Sequence, residues 1–172
     1  MFFIPGILIS IATFPGIIVH ELAHQLACWL MKVPVYEVRY FRFKRPNGYV
    51  VHERTKNYRQ TVVISMGPFV VNSIVGCAIF SFGYMSAVFG FSELLLLWLG
   101  VSIMMHAFPS KVDLDHVFAE LKTKQMPFIS KIVVFPIALL MLIGTFGSIV
   151  WLDLLYAVGL GALVNTLIIA AL

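Results

Sequence analysis

The stretch FPGIIVHELAHQLACWL, residues 14–30, is almost wholly apolar, yet it holds two histidines and a glutamate as HELAH at 20–24. Ionisable groups are expensive in an apolar helix and are kept where they do chemistry. The surrounding sequence is of the same kind. The chain has 172 residues, of which 60% are hydrophobic and only 12% charged, with 15 Phe. That is more apolar surface than a soluble domain of this length can bury. The apolar residues come in blocks, not in period-2 or amphipathic patterns. Residues 2–31 contain one carboxylate, Glu21, and residues 61–92, 94–110, 132–152 and 154–172 contain no Asp, Glu, Lys or Arg. A bilayer-spanning helix takes roughly 20 apolar residues. The pattern predicts an all-α membrane protein with about five transmembrane helices.

The first block does not read as a cleavable signal peptide. It lacks a basic leading segment and a small-residue cleavage site, and HELAH lies inside it. Cys28 and Cys77 both fall in predicted spans and suggest no disulfide framework. The +4 charge is not a nucleic-acid signature. Eight of the twelve Lys and Arg lie in 32–59 and four in 111–131, while Glu93 and Asp153 mark the other connections. An even number of spans separates the two basic stretches, so both lie on one face. The positive-inside rule makes that face cytoplasmic. The expectation is a multi-pass protein of the cell (plasma) membrane, with the N-terminus outside and the C-terminus and basic loops cytoplasmic. Its basic loops face anionic lipid of the bilayer.

Helix 1 is expected from about Pro5 to Met31, loosened at Pro15-Gly16 one turn before His20. VYEVRYFRF at 35–43 alternates and is rich in aromatic and β-branched residues, RPNG at 45–48 is a turn signal, and YVVHERT at 49–55 is a second β-prone run. These predict a small cytoplasmic β-hairpin over 35–55, between helices 1 and 2, resting on the helices or the membrane interface. Helix 2 starts near Thr61 and carries SMGPFVVN at 65–72. Helix 3 runs over about 93–109 and leads into MMHAFPSKVDLDH at 104–116, and residues 119–127 read as a polar link. Helices 4 and 5, within 128–172, hold Gly144, Gly147, Gly159 and Gly161, which suit close helix contacts. The whole reads as one polytopic domain, 1–172.

Histidines at i and i+4 lie one above the other on a helix face, so His20 and His24 can share one metal ion. Glu21 points to the side of that pair, where it reaches a water on the metal. This is the physical content of HExxH: two zinc ligands and a general base. Zn²⁺ lowers the pKa of its water towards ~7, and the glutamate takes the proton and can pass it to a leaving amine. A catalytic zinc needs a third protein ligand and an open position. Asp113, Asp115, His106 and His116 are the candidates near the end of helix 3. Cys28 shares the histidine face but is a poor candidate, because one straight helix can hardly supply three ligands. His52, in the hairpin, reads as solvated or substrate-facing. At the depth of HELAH, helix 3 brings Asp113 to the same end of the membrane.

HELAH in a transmembrane helix, GPFVVN at 67–72 in the next and HAFPSKVD at 106–113 after a third resemble the site-2 protease family of intramembrane zinc metalloproteases. The resemblance covers about residues 5–116. It implies a three-helix catalytic core with β-strands between its first two helices, and zinc held by two His and one Asp. It implies hydrolysis of peptide bonds in a membrane-protein substrate, with Glu21 as catalytic base. PSKVD resembles the Pro-Ser-x-x-Asp form of short family members, so Asp113 is the implied third ligand and Asp115 the alternative. Asn72 takes the place of a family residue that holds substrate or stabilises the oxyanion, with one extra residue before it. His106 stands where the family often has Asn, as a neighbour supporting the metal site. The form expected from the resemblance is a short one without a PDZ domain. The alternative is a non-catalytic membrane metal-binding protein or divalent-ion carrier with a zincin-like site. Transporters usually show repeats and polar residues spread over several helices, and this sequence shows neither.

Overall fold

The computed structural model describes residues 6–86, 88 and 90–171. The helix start expected at Pro5 lies outside them. The chain runs α1 (Gly6–Ala12), α2 (Phe14–Leu30), β1 (Val35–Arg39), β2 (Tyr49–His52), α3 (Tyr58–Tyr84), α4 (Phe91–Met105), α5 (Lys111–Lys122), α6 (Phe128–Gly147), a 3₁₀ turn at Ser148–Val150, and α7 (Leu152–Ala171). It is mostly helical, with one two-stranded antiparallel sheet pairing Val38 with Val50 and Arg39 with Tyr49. Three helices are long and apolar enough to cross a membrane: Tyr58–Tyr84, Phe128–Val150 and Leu152–Ala171. Five spans are not established, because α4 has 15 residues and α2 only 17. The long first helix is broken at Thr13, whose hydroxyl bonds the Ile9 carbonyl at 2.7 Å. Pro15 sits in the first turn of a new helix, where its missing N–H costs nothing.

α3 is the axis of the fold. It starts at Asn57, whose side chain caps the Gln60 N–H at 3.1 Å. α2 lies along its first half and α4 along its second. Gly67 faces Ala23 and Ala27 of α2, and Gly76 faces Met104 of α4. The polar link expected over 119–127 begins inside a helix, α5, that was not expected from the sequence. α5 is a helix because Ser110 caps it: the Ser110 hydroxyl accepts from the Asp113 N–H at 3.2 Å while the Asp113 carboxylate accepts from the Ser110 N–H at 2.9 Å. α6 packs chiefly on α5, and α7 on α4 and α3. The last turns of α6 are close-packed, with Gly144 against the Phe108 ring and the Thr145 hydroxyl on the Pro109 carbonyl at 2.8 Å.

The hairpin is present where the sequence places it, and it folds back along α2. Tyr40 donates to Gln25, Phe41 meets Phe14 with ring centres 5.9 Å apart, and Ser10 donates to Asn47 at 3.4 Å. Its tip therefore lies near the start of α2, the opposite end from Leu30.

Candidate metal centre

α2 presents His20 and His24 on one face, rings edge to face with centres 4.8 Å apart. Each imidazole is held by a backbone carbonyl from another segment. His20 Nδ1 lies 2.7 Å from the His106 carbonyl at the end of α4, and His24 Nδ1 lies 2.9 Å from the Ile64 carbonyl of α3. A carbonyl only accepts, so both Nδ1 atoms carry the proton and both Nε2 atoms present lone pairs. Those Nε2 atoms face each other at 3.2 Å. Asp113 Oδ2 lies 3.5 Å from His24 Nε2.

His20, His24 and Asp113 thus offer one ligand atom each, all within 4.8 Å of one another. Three acceptors converging on one point repel unless a cation lies among them. A divalent ion with N and O ligands fits this donor set, and the fixed Nδ1–H is the usual support of a ligating imidazole. Among the described residues this is the one such group. Asp115 is exposed and so is His116, and neither joins it. Cys28 is fully buried in an apolar cluster with Ala27, Val33 and Ile64. Burial alone would raise the Asp113 carboxyl. The hydrogen bonds that the Ser110 N–H and hydroxyl donate to Oδ2 pull the other way and favour the carboxylate form.

Glu21, 8% exposed, lies beside the histidines under the hairpin. Gly48 closes over it so tightly that a Cβ there would stand 2.6 Å from Glu21 Cγ. His20, Glu21, Asn47 and Gly48 line a cavity of about 340 Å³ that extends past Ser110 to Ser148 and Asp153. A second cavity of about 670 Å³ lies between β2, α3 and α5 and touches Asp113, His52 and His116. The two cavities flank the metal group.

Asn72 and His106 lie close by in different settings. Asn72 is fully buried and its amide donates to the carbonyls of Gly16 at 3.3 Å, Ile103 at 3.1 Å and His106 at 3.1 Å. In this arrangement its donors are committed to backbone, which leaves none for an oxyanion. Its Oδ1 has no hydrogen-bond partner among the described residues. His106 Nε2 meets the Thr13 hydroxyl at 2.8 Å, and that hydroxyl's own proton goes to Ile9. The His106 side chain therefore steadies the break between α1 and α2, and its backbone carbonyl holds His20.

Sequence reasoning passed over Ser110, Gly48 and the α6–α7 turn. Ser110-x-x-Asp113 is a capping box and was legible as one. Gly48 and the turn carry no local signal for their part in the cavity, since only tertiary packing brings them there.

Residues 13–128, about two thirds of the chain, match the model of a family described as "Putative zincin peptidase". The chain belongs to that family. No curated protein and no solved structure matches it. The matched segment contains the whole of HELAH, the hairpin, α3, α4 and Asp113. Family and geometry agree on the class: a zinc metallopeptidase-like protein with apolar helices of membrane-spanning length, whose His/Asp group suits zinc.

Proposed function

We propose that this zincin-family chain is an intramembrane zinc endopeptidase of the site-2 protease type, a single polytopic domain that cuts a membrane-protein substrate. The supporting observation is the convergence of the His20, His24 and Asp113 ligand atoms, with Glu21 next to His20 on the wall of an adjoining cavity closed by the hairpin turn. His20, His24 and Asp113 would hold the zinc. Bound there, zinc supplies Lewis-acid activation of water and of the scissile carbonyl. Glu21 takes the proton of the attacking water on a carboxylate oxygen and returns it to the leaving amine. Gly48 and the hairpin turn cover Glu21 on one side and fix where its carboxylate sits. β2, on the rim of the larger cavity, is suited to hold an unwound substrate segment as an added strand. The charge pattern favours a plasma-membrane protein with its N-terminus outside and both basic stretches cytoplasmic.

The test is Glu21→Gln in purified protein. Cleavage of a transmembrane substrate should be abolished while zinc content stays at the native level. Undiminished cleavage would sink the mechanism. Native protein that holds zinc and cleaves nothing would favour the metal-carrier reading. Proline placed within residues 50–53 should reduce cleavage and leave zinc bound, and full activity there would remove the strand-addition step.

A further inference from the structure

We infer that the GPFVVN segment of α3, residues 67–72, is a positioning device that orients both histidines of the metal centre. The inference rests on the reading of His20 and His24 as metal ligands and deepens it. Each histidine depends on one backbone carbonyl, and each carbonyl is prepared by one residue of this segment.

Pro68 acts on His24. It lies inside α3 and has no N–H, so the carbonyl four residues earlier loses its usual helical donor. That carbonyl belongs to Ile64, and it is the one that accepts from His24 Nδ1 at 2.9 Å. The proline costs the helix a hydrogen bond and gives His24 a fixed acceptor. Gly67, next to it, lets α2 approach: a Cβ there would already lie 3.1 Å from the Ala27 Cβ. Asn72 acts on His20. The His106 carbonyl stands at the C-terminal end of α4, where helical carbonyls lack internal donors. Asn72 donates to it at 3.1 Å, and the same oxygen takes His20 Nδ1 at 2.7 Å. Further bonds from Asn72 to Gly16 and Ile103 pin α2 and α4 at this level. Asn72 is on this account a positioning residue, acting through the His106 carbonyl and not on substrate.

Pro68→Ala separates positioning from mere packing, because the two act in opposite directions. It restores an N–H that competes for the Ile64 carbonyl, and alanine suits a helix interior far better than proline. The expected result is a melting temperature equal to or above the native one, with zinc affinity about 10-fold weaker by chelator competition. In ¹⁵N spectra of the metal-free protein, assigned with single His→Gln variants, His24 should lose its fixed Nδ1–H form. Native zinc affinity and an unchanged His24 resonance in this variant would overturn the inference for Pro68. Asn72→Ser is read the same way on His20, beside Ser102→Ala. Ser102 accepts from the Gly16 N–H at 3.3 Å at the same three-helix junction but, among the described residues, hydrogen-bonds neither His20 nor His24. If both variants melt alike and leave zinc affinity and His20 unchanged, Asn72 is a packing residue and the inference fails there. These readouts do not use cleavage. A chain that shows them and cleaves nothing keeps the inference and loses the proposed function. A chain in which Glu21→Gln behaves as expected and Pro68→Ala changes nothing does the reverse.

Discussion

Glu21 sits under backbone, and that makes Gly48 a sensitive position. A Cβ there would stand 2.6 Å from Cγ and 2.7 Å from Oε1 of Glu21. Overpacking of this kind costs typically about 1–3 kcal/mol, and a reacting group displaced by 1 Å can cost on the order of 100-fold in rate. Gly48→Ala is expected to lower kcat about 10- to 100-fold with zinc content unchanged. A native kcat would mean that the turn yields and Glu21 does not. The two aspartates should separate just as sharply. Asp113→Asn is expected to lose zinc by elemental analysis and Asp115→Asn to keep it; the opposite pattern would reassign the third ligand. HELAH was legible in the sequence because i, i+4 spacing fixes a shared face whatever the helix packs against. Asp113 and Asp115 were not separable by the residues alone, since both lie just past a helix end. What separates them is that a new helix starts at Lys111, which turns residues two apart about 200° from each other. Asp113 then faces α2 and Asp115 faces away.

That new helix is the main element the composition concealed. Lys111, Asp115, His116 and Glu120 give α5 the look of a solvated link, yet Leu114 and Val117 are buried on its inner face. The capping box at Ser110 sets where it begins and so where Asp113 points. Ser110→Ala removes one acceptor and should cost about 1 kcal/mol of stability. Because the Ser110 N–H and hydroxyl also hold Asp113 Oδ2, at 2.9 and 2.5 Å, zinc affinity should fall severalfold with it, while Ser110→Thr keeps both near native. Thermal melting and chelator competition read the two effects. An alanine variant with reduced melting temperature and native affinity would show that the cap serves the helix only. Elements marked by a long uncharged apolar block or by a strong turn signal, α3 and the hairpin, were readable. The break at Thr13 was foreshadowed by Pro15-Gly16, and its place was decided by the Thr13 hydroxyl and by His106 packed against it.

Across the whole molecule, apolar blocks count residues but do not set depth. The blocks gave the membrane class; they did not show that the hairpin lies back along α2, or that the turn between α6 and α7 reaches the metal cavity. Gly144 and Thr145 of α6 and Asp153 of α7 therefore line the cavity beside Glu21. The hairpin poses a solvation problem. Each strand pairs on one side only, and the segment carries Glu37, Arg39, Arg42, Lys44 and Arg45. In hydrocarbon, unpaired backbone groups cost several kcal/mol each. Pairing Arg39 with Glu37 at 3.1 Å relieves only two of the charges. Water must therefore reach the outer side of the hairpin, even though α3 behind it is apolar enough to span a bilayer. A cysteine in place of Tyr36, 68% exposed on β1, is expected to react with a membrane-impermeant maleimide in vesicles, in a chain whose Cys28 and Cys77 are replaced by alanine. A cysteine in place of Leu140, 64% exposed on α6, should not react if that helix, long and apolar enough to cross a membrane, does cross it. Equal protection at both positions would place the hairpin in lipid and remove the hydrated approach to Glu21 that peptide hydrolysis requires.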